Sequence, residues 1–387
     1  MKIQEVILRA VSGEITWFAA ARIVGCSERT MRRWRARYEM CGYDGLLDRR
    51  ARRPSVKQVP YQEVERVLHL YRERYDGFNV RHFHQKLREQ HGVGLSYTFV
   101  KQALQAAGLV ARKRTRGRHF RRREPKPCFG EMLHIDGSKH AWLALKPESM
   151  MTLVVVLDDA TSRMLYAQLW PEETTQAVMT ALREVFSTHG LCMSLYNDRA
   201  SWAFYTPPGE GKISKTVFTQ VGRALDRLGV EHIPAYSPQA RGRSERVNRT
   251  LQDRLVNELK LAGIDDVDRA NRFIREAYLP EHNRNFARLP ADPTSCFVSA
   301  KGVCLDDILC VEVERTVSND NTVRYENAFL QIPKQRDRAT CKGLSVRLRL
   351  HLDGTYSIVR GVKLLARFDP QCRELPILKN RKEKAAA

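Results

Sequence analysis

Apolar positions divide the chain into three stretches of different periodicity. Up to about residue 110 they recur every three or four residues, as along one face of a helix. Residues 3–11 predict a short first helix. Phe18, Ala19, Ala20 and Ile23 give the apolar face of a second, and Val24-Gly25-Cys26 reads as a tight turn. Ser27 suits an N-cap, and Met31, Trp34 and Tyr38 form the inner stripe of a third helix. A second three-helix pattern fills 60–108, with stripes at Val64, Val67 and Leu68 and at Phe83 and Leu87, and with Ser96 near a cap.

The period changes after Cys128. Residues 132–135 predict a strand ending at Asp136, and the apolar run 151–157 predicts a strand covered on both faces. A hairpin turn at Asp158-Asp159 and Ser162-Arg163 leads to a third strand over 164–170. A helix follows from Pro171 to Phe186, then a strand at 193–196, a helix at 218–228, a strand at 230–233 and a long helix at 243–261. Three strands, helix, strand, helix, strand, helix is the order of a mixed sheet with helices on both faces. Beyond 286, alternation resumes in short segments, with turns at Asn319-Asp320-Asn321 and Asp353-Gly354. That pattern predicts a small antiparallel barrel. The expected organisation is a helix-turn-helix domain (1–54), a second helical domain (55–110), a basic linker (111–127), an α/β core (128–285), a β-rich domain (286–378) and a disordered tail (379–387).

Charge narrows the class of partner. Lys and Arg number 66 against 44 Asp and Glu, a formal net charge of +22 in 387 residues. Such an excess calls for a polyanion. No run approaches the ~18 apolar residues of a membrane span, and the first residues lack the pattern of a signal peptide. The expectation is a cytoplasmic, nucleoid-associated protein that binds double-stranded DNA and no membrane. The candidate DNA contacts are Arg29, Arg32, Arg33 and Arg37 on the third helix, Arg49, Arg50, Arg52 and Arg53 before Pro54, and Arg112, Lys113, Arg114, Arg116, Arg118, Arg121 and Arg122 in the linker. A solvated basic face or a protein-binding helical pair fits the first unit too. The glycine turn, the Trp anchor and the arginine density favour a helix in the major groove. The nine cysteines form no CxxC pair and no histidine cluster completes a zinc set, so they read as free, mostly buried thiols.

Three carboxylates are placed where chemistry could use them. Asp136 and Asp198 end strands that can lie side by side, and Glu245 sits near the start of the long helix. Acids delivered by separate elements suit a pair of Mg²⁺ ions about 4 Å apart. Spacing alone leaves open that they are ordinary cap and turn residues. Asp158 and Asp159 are read as turn residues, and Glu172 and Glu173 as first-turn helix charges.

The motifs around these acids are HIDGS (134–138), VLDDATSR (156–163), YNDRASW (196–202) and YSPQARGRSERVNRTLQDRLVNEL (236–259). They resemble those of insertion-sequence transposases with an integrase-type, ribonuclease-H-like core, and are most similar to the ISNCY group. The resemblance implies that Asp136, Asp198 and Glu245 hold two Mg²⁺ ions, with Mn²⁺ able to substitute. Ser237, Pro238, Gly242, Asn248 and Arg249 match surrounding motif positions, and Arg243, Asn248 and Arg249 become candidate DNA contacts. It implies hydrolysis at an element end to free a 3′-hydroxyl, then direct attack of that hydroxyl on target DNA. The partners would be terminal inverted repeats and target DNA, bound by a homodimer or larger assembly, and the terminal barrel would be SH3-like. The interval from Asp198 to Glu245 is longer than usual for that group, with the surplus in the loop 203–217. A regulator built on an inactive transposase scaffold, or a nuclease without strand transfer, are the alternatives.

Overall fold

The computed structural model describes residues 3–47, 58–112, 124–207, 213–214, 216–235 and 242–376. The chain forms two compact units, Met1–Leu68 and His69–Ala387.

In the first unit, α1 (Ile3–Val11), α2 (Trp17–Val24) and α3 (Glu28–Cys41) pack around Val6, Ile7, Ala10, Ala20, Ala21 and Met31. Thr16 Oγ1 accepts from Ala19 N at 3.1 Å and Ser27 Oγ from Thr30 N at 3.3 Å, so each hydroxyl starts a helix. Gly25, at φ 73°, supplies the left-handed residue between them. The inner face of α2 is not the expected one. Phe18 and Ile23 are 57% and 50% exposed, while Ala20 and Ala21 are buried, with Trp17 and Val24 packed against them. Positions 17, 20, 21 and 24 are the true helical stripe.

The helix α4 (Tyr61–Arg74) carries the division between the units. In the second unit, α5 (Val80–His91) and α6 (Tyr97–Ala106) are capped by Asn79 and Ser96. Then come β1 (Cys128–Phe129), β2 (Met132–His140), β3 (Met151–Asp158), β4 (Met164–Trp170), α7 (Thr175–His189), β5 (Ser194–Asn197), α8 (Gln220–Leu228), β6 (Glu231–Pro234) and α9 (Gly242–Leu261). The central sheet has the order β4-β3-β2-β5-β6. Its β2, β3 and β4 are antiparallel neighbours, and β5 and β6 run parallel to β2. This is the expected ribonuclease-H-like mixed sheet.

Alternation assigns the two faces. Leu133, Ile135, Val154 and Val156 pack against α7 and α8. Leu153, Val155 and Leu157 pack against Leu251, Leu255 and Leu259 of α9 and against α10 (Val267–Phe273). All eight residues of β3 are buried, which explains its unbroken apolar run. Two boundaries differ from expectation. The α7 helix begins after Thr174, whose hydroxyl accepts from Ala177 N, rather than at Pro171. And β2 continues past Asp136 to His140, because β3 pairs with it along its whole length.

After α11 (Leu279–Phe286) come β7 (Asp292–Ser295), which pairs parallel with β1, and the short α12 (Leu305–Ile308). Then follow β8 (Val311–Thr316), β9 (Thr322–Tyr325), β10 (Ala328–Gln331), β11 (Ser345–Leu350), β12 (Tyr356–Arg360), β13 (Lys363–Phe368) and β14 (Glu374–Leu375). The expected SH3-like barrel is not formed. Five strands make an open sheet, β14-β13-β12-β11-β8, and β9 and β10 form a separate hairpin. The outer edge of β8 is occupied by a side chain instead of a strand. Gln220 Nε2 donates to Glu312 O at 2.8 Å, and Glu312 N donates to Gln220 Oε1 at 2.9 Å. That amide satisfies the edge as a neighbouring strand would. Beside it the Glu312 carboxylate takes Arg227 at 2.7 and 2.8 Å and Arg349 at 3.0 Å. These bonds fasten the terminal sheet to α8.

Candidate active site

The site is built where β2 outruns its parallel neighbour. Pairing of β2 with β5 ends at His134↔Tyr196. Two residues further along each chain stand Asp136, still within β2, and Asp198, the first residue past the end of β5. Asp136 therefore lies beyond the β5 pairing, on a strand whose other side is still held by β3 through Asp136↔Val155.

Two bonds lay α9 along this strand. Asn248 Nδ2 donates to Asp136 Oδ2 at 2.9 Å, and Gln252 Nε2 to Ser138 Oγ at 3.0 Å. A four-residue step on a helix matches a two-residue step on a strand, since ~6 Å separates each pair along its own axis. Glu245 lies one turn before Asn248 on the same side of α9, in its first turn, and is exposed.

The Asp198 loop is fixed from the other face of the sheet. Asp198 Oδ1 accepts from Ala200 N at 3.2 Å, and the buried Trp202 donates through Nε1 to Glu173 Oε1 at 3.1 Å. Glu173 is no helix-dipole charge: it precedes the N-cap Thr174 and its carboxylate lies against Gly137. A Cβ at Gly137 would stand 2.4 Å from Glu173 Oε2, so the glycine is what lets this acid pass under β2. This contact has no local sign, because Gly137, Glu173 and Trp202 belong to three separate segments.

Asp158 and Asp159 are turn residues, as expected. Asp158 receives Gly130 N, Thr161 N and Thr161 Oγ1, and burial pushes its carboxyl above the usual range despite those bonds. Asp159 takes His134 Nε2 at 2.7 Å and Lys126 N at 2.7 Å. His232 stacks on Phe204 with ring centroids 4.0 Å apart, and burial lowers its pKa to about 4.

Arg29, Arg32, Arg33 and Arg37 are exposed on α3, as are Arg112 and, on α9, Arg249. Arg49, Arg50, Arg52, Arg53, Lys113, Arg114, Arg116, Arg118, Arg121, Arg122, Ser237, Pro238, the tail 379–387 and the side chain of Arg243 lie outside the described residues, as does part of the loop 203–217. Among the described residues, the acids Asp136, Asp198 and Glu245 do not converge within 4.8 Å of one another, and the group that does is Cys128, Glu131 and Cys296. No described helix is long and apolar enough to cross a membrane.

The helix-turn-helix domain family matches residues 4–55, and the homeodomain-like domain family residues 30–104. The chain is 30% identical over 356 residues to "Putative transposase y4bF" of Sinorhizobium fredii, covering 92% of this chain and 77% of the relative. It is 26% identical over 358 residues to the transposase for insertion sequence IS1202 of Streptococcus pneumoniae, covering 83% and 76%. Among solved structures, an intasome of simian T-cell lymphotropic virus aligns at 15% identity with a TM-score of 0.32, over 70% of this chain and 88% of that one.

Proposed function

Because the chain belongs to the insertion-sequence transposase family, we propose that it cuts and joins DNA with Asp136, Asp198 and Glu245 as its catalytic acids. In this reading water attacks a phosphodiester at the element end, a 3′-hydroxyl is freed, and that hydroxyl attacks target DNA. The observation that carries it is the Asn248–Asp136 bond of 2.9 Å, which brings the helix of Glu245 to the strand of Asp136. The parallel register of β2 and β5 supports Asp198 as the second acid.

A hard carboxylate-oxygen set on β2, just past β5 and on α9 fits Mg²⁺. Two such ions, held by Asp136, Asp198 and Glu245 with Mn²⁺ as a substitute, would activate the attacking oxygen and stabilise the leaving one. The chain supplies the rest. Asn248 orients the Asp136 carboxylate. Trp202 and Glu173 hold the Asp198 loop against β2. The N-terminus of α9 offers partial positive charge to a phosphate, and Arg249 stands exposed on the same helix. Residues 1–54 and 55–110 bind the element ends, with α3 in the major groove. The core 128–285 does the chemistry, and 286–378 contacts DNA without sequence preference or joins protomers. Two ends must be paired, so the active form is a dimer or larger. Within the family, the motifs point to the ISNCY group.

The test incubates the full chain with Mg²⁺, terminal-repeat duplex and target plasmid. Joined products are expected, and Asp136→Asn, Asp198→Asn and Glu245→Gln should each abolish them while still binding the duplex. Cleaved but never joined DNA would favour a nuclease, and unchanged joining by the three variants would sink the assignment of the acids.

A further inference from the structure

Away from the β2 site, a second set of ligand-bearing side chains is drawn together. The Sγ atoms of Cys128 and Cys296 and a carboxylate oxygen of Glu131 all lie within 4.8 Å of one another, half-buried. Backbone pairing fixes this arrangement: β1 runs beside β7, and Cys296 N donates to Phe129 O at 2.8 Å. Glu131 is held by Cys128 N at 3.4 Å and by Lys126 Nζ at 3.1 Å. Phe297 closes one side, packed on Phe129 with ring centroids 4.9 Å apart and pressed on Gly130, where a Cβ would stand 2.4 Å from the ring.

We propose that Cys128, Cys296 and Glu131 form a structural Zn²⁺ site that ties the start of the catalytic core to the segment leaving it. Two sulfurs and a carboxylate suit zinc, and they are a poor set for Mg²⁺. Zinc–sulfur bonds of about 2.3 Å put two tetrahedral sulfurs roughly 3.8 Å apart, so the observed cluster needs only a small contraction. Binding releases both thiol protons. Two thiolates, one carboxylate and Zn²⁺ then sum to one negative charge, which faces the Lys126 ammonium. Asp292, opposite Cys128 in the β1–β7 pairing and interacting with its thiol, borders the fourth position. The site rests on none of the residues proposed for catalysis.

Co²⁺ is the probe, added to the full chain purified under reducing conditions, alongside measurement of Zn²⁺ content. One equivalent of Co²⁺ should give a thiolate-to-metal charge-transfer band, and one Zn²⁺ should displace it. Cys128→Ser, Cys296→Ser and Glu131→Gln should each weaken binding by at least about tenfold. Cys304→Ser, at an exposed thiol, and Asp136→Asn should leave the band intact. Circular dichroism of each variant separates lost binding from lost folding. A folded wild-type chain that gives no band overturns the site, as does a band surviving in both cysteine variants. So does a Cys128–Cys296 disulfide in the reduced, metal-free preparation.

Discussion

Asn248 is the residue on which the β2 site turns. Its amide donates to a carboxylate, and such a bond contributes about 1.5–3 kcal/mol. If Asp136 must keep that orientation for reaction, Asn248→Ala should slow single-turnover joining by about ten- to a hundredfold. Its thermal midpoint should fall by only several degrees, with the protein still folded at the assay temperature. An unchanged rate would make Asn248 a packing residue only. His282 gives a second prediction at this scale. Burial, with Arg254 nearby, lowers its pKa to about 4, and its Nδ1 is buried without a partner. The unfolded histidine titrates near 6.5. Between those values the unfolded chain takes up a proton that the folded chain refuses, so stability is lost as pH falls from about 6.5 toward 4. The loss should reach about 2 kcal/mol by pH 5, and His232, lowered by burial alone, adds a similar amount. Urea midpoints at pH 7 and pH 5 measure it. A His282→Gln variant with the same pH slope as wild type would refute the assignment.

Among the elements, α5 and α9 are joined by buried charge. Glu258 Oε1 takes His82 Nε2 at 2.6 Å and Lys86 Nζ at 2.7 Å, and Arg254 donates to Gln85 Oε1 at 2.9 Å. Burial works against the Glu258 carboxylate, yet His82 and Lys86 still hold its pKa below the usual value. Lys86 is 3% exposed, and without Glu258 its ammonium keeps only the longer, 3.7 Å contact with Glu281, so the charge is left poorly compensated. Glu258→Ala should therefore cost about 3–5 kcal/mol in urea unfolding, and adding Lys86→Met should restore most of it. A single-variant cost below about 1 kcal/mol would mean that water reaches the ammonium. The same helix carries Glu245 and Asn248, so this clamp steadies the candidate site from the far end of α9.

For the whole molecule, the +22 charge is the dominant property. If six or more phosphates are neutralised on binding, affinity for a duplex of arbitrary sequence should fall by about a thousandfold between 50 and 200 mM salt. Fluorescence anisotropy at several salt concentrations gives the slope. A flat response would show that the basic residues face solvent rather than DNA. The terminal sheet bears on this too, because its β8 edge is fastened to α8 by Gln220, Arg227 and Glu312 and is not free to pair with another strand.

What the sequence determined by itself was local and periodic. Ser27 and Ser96 are side chains that cap the helix they begin, the β3 run is apolar because both its faces are covered, and the strand–helix order allows one sensible mixed sheet. Asp158 bonds Thr161 within its own turn and could be read in place to that extent, whereas its bond from Gly130 and those of Asp159 with His134 and Lys126 come from distant segments. The tertiary structure decided whatever depends on distant segments meeting. Phe18 and Ile23 face solvent because α1 and α3 meet the Ala20–Ala21 side of α2. The terminal strands form an open sheet, with Gln220, 92 positions from Glu312, bonded to the edge of β8. Glu173 lies under Gly137, and Cys128 meets Cys296. No spacing rule spans such intervals, because side-chain periodicity records which face of an element is buried and not what buries it.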